Sequence, residues 1–221
     1  MTAGSGRSEN YPTVPHERLR EDGWELRSRT EETVFRVPGA AVVGYTVFYE
    51  DTRLGEAVEF PAQPEASDRL VGTDESSPWR FFFATRLAFR PPLAPGIGPA
   101  TLRPTVASQA KRTFIEDLEA RGFERVESGR TQRMRTDSGD RARLRKFTAE
   151  LVLEGYGGRP TLGVEGWLAV WVTGGAFRIA GGAYPVSGLS ELLEAVPADA
   201  DLSADTGGFR EELLGLIRAV R

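Results

Sequence analysis

Hydrophobic positions in this chain repeat mostly with period two, which predicts strands, and in a few stretches with period three to four. Phe81, Phe83, Thr85, Leu87 and Phe89 alternate with Phe82, Ala84, Arg86, Ala88 and Arg90. Such alternation places successive side chains on opposite faces of a strand. Ala41 to Tyr49 is apolar at almost every position and reads as a strand buried on both sides. Val164 to Val172 and Phe177 to Tyr184 flank Gly174-Gly175, a two-residue hairpin signal. That turn pairs Thr173 with Ala176, Trp171 with Arg178, Ala169 with Ala180, and Trp167 with Gly182. Phe123 to Thr136 and Arg141 to Leu153 flank a second turn, Asp137-Ser138-Gly139-Asp140. In the second of these strands the apolar phase moves from Ala142 and Leu144 to Phe147, Ala149, Leu151 and Leu153. A bulge near Arg145-Lys146 is the predicted cause, since one extra residue flips the alternation.

Helical spacing is clearest from Val106 to Arg121, where Ala107, Ala110, Phe114 and Leu118 share a face. Thr105 is the expected N-cap, and Gly122-Phe123 the expected C-terminal stop. Phe209, Leu213, Leu216, Ile217 and Val220 form a second stripe, with Asp205 and Thr206 as cap candidates. Shorter helices are predicted at Gly188 to Val196, capped by Ser187, and near Glu17 to Asp22. Phe60 to Pro78 and the proline-rich Pro91 to Pro104 read as loops. The sum is an α+β protein: a mostly antiparallel sheet covered by two or three helices. Residues 1–12 are expected to form a disordered tail and 13–221 one domain, divided at 91–104 into two halves that could be similar. Leu19-Arg-Glu-Asp-Gly23-Trp24-Glu25 echoes Leu118-Glu-Ala-Arg-Gly122-Phe123-Glu124. Duplication explains that echo, and so does a common helix-to-strand connection.

Composition narrows the chemistry. Of the 221 residues 40% are hydrophobic, enough for a sizeable core, yet no run approaches the ~20 apolar residues of a membrane span. The first ten residues lack the apolar stretch of a signal peptide, so a cytoplasmic setting is expected. With no cysteine, disulfides, thiolate metal sites and cysteine nucleophiles are excluded. The single histidine, His16, lies in a proline-flanked segment and reads as a solvated helix start. No cofactor and no metal site is expected. Gly155-Tyr-Gly157-Gly158 and Gly96-Ile-Gly98-Pro99 lack the context of phosphate loops. Glu31-Glu32, Glu50-Asp51 and Glu116-Asp117 read as solvated charge. The net charge of −4 gives no bulk reason to expect nucleic acid.

Two surfaces stand out nonetheless. Arg130, Arg133, Arg135, Arg141, Arg143, Arg145 and Lys146 crowd one hairpin of an acidic protein. Alternating arginines on a two-stranded ribbon can meet phosphates. A solvated face, or pairing with Glu124, Glu127 and Asp137, is the simpler account of them. The second surface carries Trp167, Trp171, Arg178 and Tyr184 beside the small residues Ala180, Gly181 and Gly182. Large aromatics beside glycines leave a concavity, which either an apolar ligand or a packing helix would fill. Arg178 beside Trp171 is also an expected cation–π pair.

The order after Pro104 is a capped helix, a polar hairpin, a Trp-bearing strand, then a strand ending Ala183-Tyr184-Pro185 before C-terminal helices. In this the chain loosely resembles a group of small haloarchaeal proteins and, more distantly, the PsbP/Mog1-like α+β sandwich. The resemblance implies a helix-covered sheet with a binding or scaffolding role, and it transfers no catalytic residue. Three readings follow in order. The first is a non-enzymatic binding protein, its partner another protein or a small apolar ligand. The second is a nucleic-acid-binding protein using the 130–146 hairpin, and the third a carboxylate-based hydrolase.

Overall fold

The computed structural model of the chain describes residues 10–52, 80–93, 98–152, 161–189 and 206–221. Its strands are β1 (Trp24–Val37), β2 (Ala40–Asp51), β3 (Phe81–Arg90), β4 (Phe123–Arg135), β5 (Arg141–Val152), β6 (Thr161–Thr173) and β7 (Ala176–Ser187). The helices are α1 (His16–Glu21), α2 (Pro99–Ala120) and α3 (Thr206–Ala219). All strands join one antiparallel 7-stranded sheet in the order β1-β2-β3-β7-β6-β5-β4. Two meanders, β1 to β3 and β4 to β6, therefore meet only through β7.

Each face of the sheet has its own core. On the first, α2 contributes Val106, Ala110, Phe114 and Leu118. The Phe114 ring stands 4.9 Å from Phe147, edge to face, and 5.9 Å from Phe83. On the second face Leu213, Leu216, Ile217 and Val220 of the C-terminal segment meet Trp167, Trp171, Tyr184 and Phe82. Leu19 of α1 and Val14 join them. Gly182 makes that close approach feasible: a Cβ there would lie 2.8 Å from Leu213 Cδ1. The two long helices thus lie one on each face, α2 against β4, β6 and β7, α3 against β3 and β7.

The predicted β6–β7 register, from Thr173/Ala176 to Trp167/Gly182, is the register observed. Both glycine-aromatic junctions also adopt the expected geometry, with Gly23 at φ 73° before Trp24 and Gly122 at φ 85° before Phe123. Trp24 packs into the second face and Phe123 into the first.

Several expectations change. Helix α2 begins at Pro99 rather than at Val106, with Gly98 and not Thr105 at its N-cap. Proline is well tolerated at the first helical position, and Pro104, one turn further, removes a single intrahelical bond. The phase slip in β5 is not a bulge, because its pairing with β6 runs unbroken from Arg143 to Val152. Instead Ala142 and Leu144 pack into the second core while Phe147, Ala149 and Leu151 pack into the first. A regular strand that buries a different face at each end mimics a slip. The irregularities fall on β4, at Glu124/Glu127 and Ser128/Thr131, where Arg125 takes φ 52°.

Asn10 to Pro12, expected in a disordered tail, lie against the sheet, with the Tyr11 ring 5.7 Å from Tyr45. Thr13 and Arg221 exchange two main-chain hydrogen bonds of 2.9 Å. Glu50 and Asp51 are buried rather than solvated. The predicted 188–196 helix falls mainly outside the described residues, as do the 60–78 loop and the 155–158 glycines; Ser187 ends β7.

Candidate functional site: the arginine groove of the β4–β5 hairpin

The tip of the β4–β5 hairpin is packed on one face, where Ala142 and Leu144 enter the second core, and open on the other. Its turn is held by Thr136 N–H donating to the Asp140 carbonyl at 3.0 Å, with Gly139 at φ 88°. Asp137 N–H donates to the Arg218 carbonyl of α3 at 2.9 Å, which anchors the turn to the second face. The register sets Arg133 directly opposite Arg143 and Arg135 directly opposite Arg141. Residues so opposed project to the same side, here the side on which α2 lies.

A groove of about 580 Å³ opens at this tip, lined by Arg103 of α2 together with Arg133, Met134, Arg135, Arg141, Ala142 and Arg143. All five arginines are exposed. Arg135 Nη1 donates to the Gly139 carbonyl at 3.0 Å. Among the described residues none of the five forms an ion pair.

The hairpin does not use all the basic residues that the sequence offered. Lys146 projects to the opposite face and is bound to Glu165. Arg145 Nη1 donates to the Gly129 carbonyl at 3.2 Å, and Arg130 lies in the irregular stretch of β4. Of the acidic partners considered, Glu124 and Glu127 lie toward the base of the hairpin; the ion pair formed there joins Arg125 and Glu150 at 2.7 Å. Sequence reasoning missed Arg103 because the 91–104 stretch read as loop. Pro99 was the available signal: taken as the first helical residue, it places Arg103 in an early helical turn.

The aromatic surface divides in two. Trp167 Nε1 donates to Tyr184 OH at 3.1 Å, and Tyr184 OH donates to Glu165 Oε2 at 2.9 Å. Burial, foremost, and the Glu165 carboxylate hold the Tyr184 phenol above its ordinary range. Arg210 of α3 stands 5.5 Å from the Trp167 ring, so the cation over this tryptophan comes from the helix. Trp171 and Arg178 are also covered, but Trp171 Nε1 and Arg178 Nε are buried with no hydrogen-bond partner. Helix α3 fills the concavity at Gly182, where Leu213 packs.

Carboxylates converge twice, and each time on arginine. Arg80, 2% exposed, binds both Asp51 and Glu212, and lies 4.0 Å from the Phe209 ring centroid and 4.9 Å from that of Trp24. Trp24 Nε1 donates to Glu212 Oε1 at 2.6 Å. Arg121 stacks on Phe48 and Phe81, near Glu50 and Asp117. Both carboxylate sets are thus neutralised by a buried cation. Among the described residues no group of three or more His, Asp or Glu side chains has metal-site geometry. His16 Nδ1 lies 2.9 Å from Tyr49 OH at the start of α1.

No described helix is long and apolar enough to cross a membrane. No curated protein and no solved structure matches the chain. Residues 11–221 match the domain of unknown function DUF6517, and the chain belongs to that family.

Proposed function

We propose that this chain is a non-enzymatic binding protein whose groove at the β4–β5 tip receives the phosphate backbone of a nucleic acid. One observation carries the reading: two arginine pairs face each other directly across the hairpin, with no carboxylate partner among the described residues. Like charges in opposed positions oppose pairing, by an amount comparable to the 0.2–1 kcal/mol that a favourable cross-strand pair contributes, on the order of a thermal energy. The protein has 32 acidic residues to 28 basic ones, so counter-charges are plentiful. Leaving this cluster uncompensated weakens the hairpin and readies it for an anionic partner. Guanidinium forks bind phosphate oxygens in a bidentate manner. Among the described residues no aromatic side chain lines the groove. Base stacking therefore contributes little, and the contact is sequence-independent.

The arginines of the tip lie on its open face, where they are exposed. A cytoplasmic setting fits this ligand. The test is fluorescence anisotropy with a labelled duplex oligonucleotide over about 50 to 200 mM salt. Binding is expected to weaken along a log–log slope of about −0.9 for each phosphate contacted, hence about −4 for four arginines. Arg133→Glu with Arg143→Glu should abolish it. Absence of binding at the lowest salt, or binding indifferent to both salt and these substitutions, rejects the proposal.

A further inference from the structure

A single transverse row crosses five strands on the second face. Glu31 of β1 pairs with Tyr45 of β2, Tyr45 with Arg86 of β3, Arg86 with Arg178 of β7, and Arg178 with Trp171 of β6. The outer end of the row is satisfied. Tyr45 OH donates to Glu31 Oε1 at 3.2 Å, and Arg90 binds both Tyr45 and Glu31.

The inner end is not. Arg86 and Arg178 stand opposite each other, and neither forms an ion pair among the described residues. Among the described residues Arg86 Nη1 reaches only the carbonyl of Asn10 at 3.2 Å and its side-chain Oδ1 at 3.4 Å. Arg178 Nη1, among the described residues, reaches only the Phe177 carbonyl at 3.3 Å, and its Nε is buried without an acceptor. Trp171, 1% exposed, likewise buries its Nε1 donor without an acceptor. Burial first, then repulsion from Arg86, pushes the Arg178 guanidinium down to about 10, and Asp140 opposes that shift from a distance. An unmet buried donor ordinarily costs about 1–3 kcal/mol. Here two occur side by side, next to two like charges.

We propose that Arg86, Arg178 and Trp171 form a binding site for a phosphate group on the face opposite the arginine groove. Every unmet group at this place is a hydrogen-bond donor, and two of the three residues are cationic, so the missing partner is an anion. The residues lie on three adjacent strands about 4.8 Å apart. Donors from three separate strands on one face suit the several oxygens of a tetrahedral oxyanion better than the two of a flat carboxylate. Asn10 already supplies two acceptors to Arg86 and borders the site.

This inference does not rest on the groove, and its test separates the two. The parent protein is an Arg133→Gln/Arg143→Gln double variant, which removes charge from the groove while leaving the second face intact. It is titrated with inorganic phosphate against chloride at matched ionic strength, with heat of binding and Tm as readouts. Saturable binding of one phosphate per chain, with a rising Tm, is expected. Arg178→Gln should weaken it at least tenfold. Trp171→Phe, which keeps a ring in the core but removes the donor together with part of the indole's volume, should weaken it a few-fold. An alkyl phosphate monoester that binds more tightly than inorganic phosphate would mark the group as part of a larger ligand. A titration indistinguishable from chloride, or one unchanged by both Arg178→Gln and Trp171→Phe, overturns the site.

Discussion

Arg80 and the groove arginines are the same residue type in opposite circumstances. Arg80 sits between two carboxylates and two aromatic rings, joining the end of β2 and the start of β3 to helix α3. Burial lowers its pKa, and Glu212 counters that shift. Arg133, Arg135, Arg141 and Arg143 are exposed and face one another. A buried charge survives only with partners, whereas an exposed one can be left for an external partner. Arginine content alone therefore says little about function; what each guanidinium meets decides it.

Four measurements would break or sharpen this contrast. The largest effect is expected from Arg80→Ala, which leaves Asp51 and Glu212 facing each other across a cavity. A loss of about 3–5 kcal/mol in denaturant unfolding is expected; a loss no greater than that of a groove substitution would dissolve the distinction. Next is Gly182→Ala, on the strand over which α3 seats. The new Cβ would clash first with the Phe81 carbonyl oxygen of β3 and then with Leu213, one residue from Glu212, and should cost at least about 1–3 kcal/mol. A neutral result would show that α3 can shift without loosening the Arg80 clamp.

Smaller still, Arg143→Gln should leave stability unchanged or raise it by about 0.2–1 kcal/mol, by relieving the Arg133 opposition. Oligonucleotide affinity should fall in the same variant. A clear loss of stability would assign these arginines a structural role. The smallest effect concerns pH. Tyr45, Tyr49 and Tyr184 are all raised, chiefly by burial, so the folded state holds their protons more tightly than the unfolded chain does. Their contribution is complete below the ordinary tyrosine value near 10 and is lost as pH climbs above it. Absorbance titration of the native protein should show these phenols ionising later than free tyrosine. Ionisation of all of them together near pH 10 would contradict their burial.

Much of the fold was legible in the sequence because local rules acted alone. Gly174-Gly175 fixed the β6–β7 register through positive φ, and the stripe from Phe209 to Val220 marked α3. What escaped depended on tertiary context. The change of phase in β5 looked like a bulge because one-dimensional alternation cannot show that its two ends are buried by different layers. Pro99 and Pro104 hid the first turns of α2 because proline signals both loops and helix starts. Glu50 and Asp51 looked solvated because their partners, Arg27, Arg121 and Arg80, are distant or beyond an intervening segment. Within the groove, the arginine-rich hairpin was visible, but the opposition of Arg133 to Arg143 and the arrival of Arg103 required the register and the helix start. In the row on the second face, Trp171 and Arg178 were visible as neighbours, while Arg86 entered only through the β3–β7 pairing.

The position of β7 also bears on how the polypeptide is made. During synthesis the first three strands and the next three emerge as separate meanders, and the inner borders of both, β3 and β6, await a strand that emerges after them. Those borders carry Phe81, Phe82, Phe83, Trp167 and Trp171, which would be sticky while unpaired. A ribosome paused before residue 176 would hold two unfinished ribbons, and release of the last dozen residues of β7 would let them join in one cooperative step.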